Sequence, residues 1–284
     1  MASLAKQINN KDNKDNKDNK DNNESNDNFI AGLKSKRLFK DIIDMEKNSL
    51  ASEGVFYKHD YNNIEYGYAV IVGPKDTPYE NGVYVFKFKF KNTYPYEPPV
   101  LTYLTNDGKT RFNPNLYRSG KVCISILNTW RGERWSACQS IRSVLMMILT
   151  VLNDTPFLNE PGITKSNKDY NDYNDIITYK NFERAIFKNY MLCMKEQVCH
   201  SDVSYDCWPD MRDFMISHFI LKKNEILSRY DALCDKQTKY LKKHKIKSEI
   251  KKSSALKKKV SIYGMNFIID YTKLNKYVDE FKLN

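Results

Sequence analysis

The chain has 284 residues, a formal net charge of +11 and a hydrophobic content of 41%. This length and composition allow a substantial core, in one large domain or two small ones. No uninterrupted apolar run approaches the roughly 18 residues that a membrane-spanning helix needs, and the polar N-terminus shows no secretory signal. We therefore expect a soluble protein of the cytoplasm, with the nucleus as the alternative.

The positive charge is concentrated in one stretch. Residues 236–259 contain eleven lysines and one acid, so this stretch carries +10 and the rest of the chain is close to neutral. We interpret residues 236–284 as a Lys-rich tail, for which basic charge predicts weak, salt-dependent binding to polyanions. At the other end, four copies of Lys-Asp-Asn occupy residues 11–22. Because this polar run offers little to bury, residues 1–28 are predicted to be a disordered low-complexity arm.

The ordered domain is predicted to span residues 29–235 and to begin with a helix between Ile30 and Leu50. Five apolar residues in this stretch recur at helical spacing and share one face. They are Leu33, Leu38, Ile42, Ile43 and Met45. The basic residues Lys36, Arg37 and Lys40 fall largely elsewhere, which fits either a solvated face or a docking surface.

A four-strand meander is predicted next. Its strands are Gly54–Asp60, Ile64–Gly73, Val83–Lys91 and Val100–Thr105. In the third strand, aromatic residues alternate with lysines, which predicts an antiparallel sheet with one buried side. Three prolines within residues 94–99 exclude regular structure between the last two strands.

A long irregular stretch from Asn106 to Ala137 precedes the remaining helices. Ser140 is positioned to cap a helix that runs to about Leu152. Two further helices are predicted at Tyr179–Glu196 and Asp210–Leu233, while Tyr263–Phe281 has weak helical spacing and its docking stays open. The order of elements predicts an α+β fold.

The irregular stretch contains a cysteine eight residues after an asparagine, Cys123 after Asn115. The six cysteines form no CxxC pair and no recognisable zinc spacing, which is typical of reduced thiols. None of the four histidines lies in this stretch. A cysteine protease needs a neighbouring histidine as a base, so the sequence disfavours that activity.

A thiol without a local base is suited to carrying an acyl group that another thioester has already activated. When an amine then attacks, the amide of Asn115 is placed to stabilise the oxyanion or to order the loop. Asp154 and Glu160 follow the next helix. They are candidates for positioning or deprotonating the amine, with solvated loop acids as the alternative.

At this point the residues resemble the ubiquitin-conjugating enzymes, from about Leu33 to Leu233. The resemblance rests on an ordered set of motifs. They are Lys36, Arg37 and Lys40 in the first helix, Gly73-Pro74…Thr77-Pro78-Tyr79…Gly82, Tyr94-Pro95-Tyr96-Glu97-Pro98-Pro99, Asn113-Pro114-Asn115, Cys123 and Trp135-Ser136. The chain is most similar to the conjugating domain of large hybrid proteins that combine conjugating and ligase activity. That similarity rests on Arg111–Tyr117, Gly120–Cys123, Asn128–Gly132, Asn159–Gly162, His218-Phe219 and Glu225-Ile226.

The resemblance implies the ubiquitin-conjugating fold, followed by a C-terminal helical extension. It implies that Cys123 accepts ubiquitin as a thioester from an activating enzyme and passes it to a substrate lysine. It implies no bound cofactor, because ATP is consumed upstream by the activating enzyme. Activating enzyme and a ubiquitin ligase would dock on the first helix and on two loops. The residues implied for docking are Lys36, Arg37, Lys40, Tyr96, Trp135, Ser136 and Ala137.

Three positions depart from the common family pattern. Asn113 replaces a histidine, Ser125 replaces an acidic residue, and Ala137 replaces a proline of the ligase-binding loop. The alternative function is a catalytically weak module of the same fold that binds ubiquitin or a ligase. The abundance of Asn, Lys, Tyr and Ile is typical of an AT-rich genome, such as that of a protist or a large DNA virus. For a virus, the expected location is the host cytoplasm.

Overall fold

The computed structural model describes residues 36–243 and 255–283. The predicted arm at 1–28, the predicted start of order at residue 29, and part of the Lys-rich stretch lie outside these residues. Helix α1 occupies residues 36–47 of the described chain. Leu38, Ile42 and Met45 are buried as predicted, but Ile43 is 45% exposed beside the exposed Phe39. Residues 39 and 43 are four apart and therefore share a second, outward face.

Four antiparallel strands follow in the predicted order. They are β1 Val55–His59, β2 Tyr66–Val72, β3 Val83–Lys89 and β4 Val100–Tyr103, and each pairs with the next. The expectation of one buried side is wrong for the first half of β3, where Val83 and Val85 are buried along with Tyr84 and Phe86. Phe214, in the C-terminal half, packs on that side, since its ring centroid lies 5.2 Å from that of Phe56. Phe56 pairs in register with Val70, and Val70 pairs with Val85, so these side chains share one face of the sheet.

Helix α2, Ile141–Val151, begins where the sequence predicts. Ser140 and Ser143 exchange reciprocal hydrogen bonds, in which each side chain accepts from the other residue's backbone N–H. Such a capping box satisfies donors that the first helical turn leaves free. Four predicted core residues of this helix are fully buried, namely Ile141, Val144, Leu145 and Ile148.

The C-terminal helices are longer than predicted. Helix α3, Tyr170–Lys180, continues through a wider π-helical turn, Asn181–Lys188, into α4, Asn189–Met194. Helix α5 runs from Trp208 to Lys243, so the predicted boundary between residues 235 and 236 falls inside it. None of the helices within 36–243 and 255–283 combines the length and apolar character needed to cross a bilayer.

The chain after residue 254 forms a hairpin and a helix, whereas the sequence pattern shows only weak helical spacing there. Strand β5, Leu256–Val260, pairs with β6, Met265–Ile269, and α6 spans Asn275–Leu283. The segment packs on the domain through six buried residues, which are Val260, Met265, Ile269, Leu274, Val278 and Phe281. The Phe281 ring centroid lies 4.6 Å from that of Tyr190. Residues 255–283 are therefore part of the folded body, and the interpretation of 236–284 as a separate tail is corrected for them.

Candidate active site

The loop that carries Cys123 has a core of its own. It is irregular apart from one short helical turn, Ser125–Leu127, and isolated bridges that join Leu116 to Asn113 and to Val122. Its apolar side chains fill the space beneath it, and those that are buried include Phe112, Leu116, Val122, Ile124, Ile126, Leu127 and Trp135. Packing of this kind holds an irregular segment in one conformation without a regular hydrogen-bond ladder.

Cys123 and Asn115 meet, as the sequence predicts. The backbone N–H of Cys123 donates to the carbonyl of Asn115 at 2.8 Å, and the Asn115 side-chain Nδ2 donates to the carbonyl of Cys123 at 2.6 Å. An amide group has two N–H bonds, and the carbonyl of Cys123 takes one of them. In this resting geometry the amide orders the loop around the thiol.

Asn113 supports the pair of Cys123 and Asn115 through a hydrogen bond to the backbone of Asn115. The sequence pattern alone does not predict Asn113 as a site residue. Its Oδ1 accepts from the backbone N–H of Asn115 at 2.9 Å, while its Nδ2 donates to the hydroxyl of Tyr79 and to the carbonyl of Val151. Asn113 is completely buried. The signal for this role is the pair of asparagines around Pro114, because a buried carboxamide both donates and accepts.

The thiol itself is covered. Cys123 is 2% exposed, and its neighbours are held by Thr129, whose hydroxyl bonds to the carbonyl of Val122 and the N–H of Ile124. Gly132 also lies against Ser125, so closely that a Cβ there would come within 3.1 Å of the Ser125 Cβ. In this conformation almost none of the Cys123 surface is open to solvent.

Two histidines, His59 and His218, form hydrogen bonds with groups other than the thiol of Cys123. His59 bonds through its ring nitrogens to Tyr57 and to the carbonyl of Ile64, and burial lowers its pKa to about 4. His218 bonds to the carbonyl of Asn81, and burial lowers its pKa as well. These contacts agree with a cysteine that works without a histidine base.

The two candidate acids differ in their surroundings. Asp154 is exposed and bonds to the hydroxyl of Thr155. The Glu160 carboxylate accepts a hydrogen bond at 2.6 Å from the hydroxyl of Tyr263, a residue of the turn between β5 and β6. Their role in positioning a substrate lysine stays a prediction.

The predicted docking residues divide into exposed residues and residues that bind other parts of the chain. Lys36, Lys40, Ser136 and Ala137 are exposed, and Tyr96 is 65% exposed. We refer to these five as the docking surface.

Arg37 and Trp135 hold that surface together. Arg37 forms an ion pair with Asp41 at 2.9 Å and donates to the carbonyls of Ala137 and Gln139. Trp135 is buried, and its Nε1 donates to the carbonyl of Pro95 at 2.7 Å. These contacts join α1, the proline-containing loop at residues 94–99 and the loop at residues 135–139 into one surface.

Comparisons with known proteins support the same interpretation. A family model described as "Ubiquitin-conjugating enzyme" matches residues 37–181. The chain is 35% identical over 201 residues to ubiquitin-conjugating enzyme E2 Z of Xenopus tropicalis, which covers 70% of this chain and 59% of the relative. It is 40% identical over 153 residues to human E2 Z, covering 53% of this chain and 43% of the relative.

A third relative is a hybrid protein of the kind that the sequence motifs resemble. The chain is 33% identical over 205 residues to the human dual E2 ubiquitin-conjugating enzyme/E3 ubiquitin-protein ligase BIRC6, covering 69% of this chain and 4% of the relative. The chain thus spans less than two thirds of the length of each of these relatives. The matches confirm the resemblance, and with it the α+β fold, that the sequence predicts.

Proposed function

Because the chain belongs to the ubiquitin-conjugating enzyme family, we propose that it accepts ubiquitin as a thioester on Cys123 and transfers it to a substrate lysine. The observation that carries this proposal is the reciprocal pair of hydrogen bonds between Cys123 and Asn115. The pair lies inside the residues that the family model matches.

Loading is an exchange between two thioesters. The Cys123 thiolate attacks the carbonyl carbon of a ubiquitin C-terminus held on an activating enzyme, a new C–S bond forms, and the old C–S bond breaks to release the other thiolate. Bonds of the same kind form and break, so the step requires little driving force. ATP is used upstream by the activating enzyme, and no cofactor takes part at this site.

Discharge to an amine forms the final product. A neutral lysine amine attacks the thioester carbonyl, the C–N bond forms, the C–S bond breaks, and the Cys123 thiolate leaves as the amine gives its proton to solvent or a nearby carboxylate. The tetrahedral intermediate carries an oxyanion. The second N–H of Asn115 is the donor that we assign to it, and Asp154 and Glu160 are the carboxylates nearest in sequence after α2.

The partners follow from the same proposal. Ubiquitin, an activating enzyme, a protein substrate and a ubiquitin ligase are required, and the docking surface is the site assigned to the enzyme and ligase partners. The exposed apolar residues Phe39 and Ile43 of α1 extend that surface. We place the reaction in the cytoplasm.

A thioester gel tests the proposal. The full chain is incubated with activating enzyme, ATP and ubiquitin and separated without reductant. We expect a band that disappears with dithiothreitol, is absent in Cys123→Ala, and persists in Cys138→Ala, because Cys138 is an exposed thiol of the same loop. A folded protein that forms no such band would refute the proposal.

The alternative is a catalytically weak module of the same fold that binds ubiquitin or a ligase, and the relatives named as conjugating enzymes do not favour it. The same gel separates the two functions when it is combined with a binding measurement. Binding of ubiquitin without a dithiothreitol-sensitive band would favour the module, whereas loading of Cys123 would exclude it.

A further inference from the structure

The turn between β5 and β6 places Tyr263 between two loops of the candidate site. Its hydroxyl donates to Glu160, on the loop after α2. Its ring centroid lies 6.0 Å from that of Phe157 and 5.9 Å from that of Tyr173. The side chain is thus packed on one side against the loop that follows α2.

The other side of Tyr263 faces the loop that leads to Cys123. The Arg111 guanidinium carbon lies 5.3 Å from the Tyr263 ring centroid and 3.2 Å from that of Tyr117. Arg111 also donates to the carbonyl of Pro114 at 2.7 Å, directly before Asn115. Arg118 donates to the backbone carbonyl of Tyr263. Two arginines therefore connect the turn to both ends of the segment that contains Asn115.

The hairpin of β5 and β6 is held in place by ion pairs and hydrogen bonds to α3 and to the residue before it. Lys258 forms ion pairs with Asp172 at 2.9 Å and Asp175 at 2.8 Å, and the N–H of Ser261 donates to Asp169 at 2.7 Å. The backbone N–H of Arg111 lies 3.3 Å from the sulfur of the buried Met265. The turn is thus held by α3 on one side and by the hairpin core on the other.

We propose that Tyr263 is a positioning residue for discharge of the thioester, which acts through Arg111 and Arg118 to hold the Asn115 segment against Cys123. This inference rests on the proposed function. Tyr263 acts through the residues that it contacts. Its ring supports Arg111, its carbonyl holds Arg118, and the Glu160 carboxylate orients its hydroxyl. The C-terminal segment, which lies beyond the family match at residue 181, thereby belongs to the catalytic apparatus.

Two variants separate the ring from the hydroxyl. Tyr263→Phe keeps the ring beside Arg111 and the backbone carbonyl for Arg118, whereas Tyr263→Ala removes the ring. In single-turnover discharge to free lysine, we expect the Ala variant to slow about tenfold or more, because misplacement by ~1 Å costs up to about 100-fold. The Phe variant loses one hydrogen bond and slows by less than roughly fivefold. We expect loading of Cys123 to stay within about twofold in both, because loading exchanges one thioester for another and requires little driving force.

A double-mutant cycle distinguishes positioning from general destabilisation. If Tyr263 acts through the Asn115 segment, Tyr263→Ala combined with Asn115→Ala discharges no more slowly than Asn115→Ala alone. Met215→Ala is the matched control, because it empties a buried position of α5 away from both loops. It leaves discharge unchanged. Tyr263→Leu, which retains apolar packing against Phe157, replaces the Ala variant if that protein does not fold.

Three results would overturn the inference. They are equal discharge rates in Tyr263→Ala and wild type, additive losses in the cycle, and an equal loss in Met215→Ala. Each leaves the proposed function standing as long as wild-type Cys123 loads. Failure of the wild type to load refutes the proposed function, and this inference with it.

Discussion

The loop around Cys123 is supported in two places by different interactions. On the inside, three buried or part-buried carboxamides form what we call the amide brace, Asn113, Asn115 and Asn159. On the outside, the hairpin is anchored by what we call the charge brace, Lys258 with Asp172 and Asp175. The amide brace joins residues at most 46 positions apart, whereas the charge brace joins residues more than 80 positions apart.

The difference predicts how each support responds to its surroundings. Hydrogen bonds between neutral groups in a buried site depend little on salt or pH. Ion pairs that are partly exposed are screened by salt and contribute modestly. The first support is therefore fixed once the domain folds, and the second can be weakened separately. Mutations at each brace test this distinction.

The largest effect is expected from Asn115→Ala. Removal of an oxyanion donor typically slows a reaction about 100- to 1000-fold, so discharge to free lysine should slow by that order while loading of Cys123 is retained. Single-turnover assays of both steps make the measurement. If loading falls as much as discharge, Asn115 serves to order the loop; if neither changes, the amide brace has no role in the reaction.

A smaller effect, on stability, is expected from Asn113→Ala. The change leaves the N–H of Asn115 without its acceptor in a buried site, which costs roughly 2 to 3 kcal/mol in the free energy of unfolding. Asn113→His is the matched control, because an imidazole retains one donor and one acceptor. Urea unfolding followed by fluorescence measures both. Equal stability of the Ala variant and wild type would show that the hydrogen bonds of Asn113 are dispensable.

The smallest effect is expected from Lys258→Met, which keeps a long apolar side chain and removes the charge. We expect the free energy of unfolding to fall by about 1 kcal/mol, the scale of a partly exposed ion pair. Faster hydrogen exchange of the amides at 256–269 should accompany it, with no change at 113–123. High salt should reproduce the change in wild type. Equal acceleration in both segments would contradict the separation of the two braces.

The ion pairs of Lys258 with Asp172 and Asp175 also predict how the free energy of unfolding depends on pH. Burial by itself would lower the pKa of Lys258, but hydrogen bonds and charges from Asp175 and Asp172 raise it above its ordinary value of 10.5. A raised pKa in the folded protein means that the stabilisation is complete below pH 10.5 and is lost as the pH rises through the folded value. In urea unfolding, the stability difference between wild type and Lys258→Met should therefore stay constant below pH 10.5 and shrink as the pH rises above it. A constant difference would show that the charge of Lys258 is not its source.

The parts of the fold that sequence predicts well are those with strong local periodicity. Helix α2 has its cap at Ser140 and its apolar face where the spacing requires them. The alternation in β3 gives the strand, but not the burial of Val83 and Val85. That burial depends on helices about 100 residues later in the chain, which no local pattern encodes.

The candidate site shows the same limit. The proximity of Asn115 and Cys123 follows from an eight-residue spacing and a turn, so it is predictable. The engagement of Glu160 by Tyr263 joins residues 103 positions apart. The lysine content of β5 predicts a charged tail, although Leu256, Lys258 and Val260 alternate with the exposed Lys257 and Lys259. The local sequence shows only the positive charges, because the carboxylates of α3 that pair with Lys258 are remote in sequence.

The position of Tyr263 near the C-terminal end affects the order in which the site is completed during synthesis. A ribosome produces Cys123 and the matched residues 37–181 well before Tyr263. The emerging polypeptide has its nucleophile in place while the support from the hairpin turn is still untranslated. The contacts of the hairpin turn with Arg111, Arg118 and Glu160 therefore form only after the residues around Cys123 have been translated.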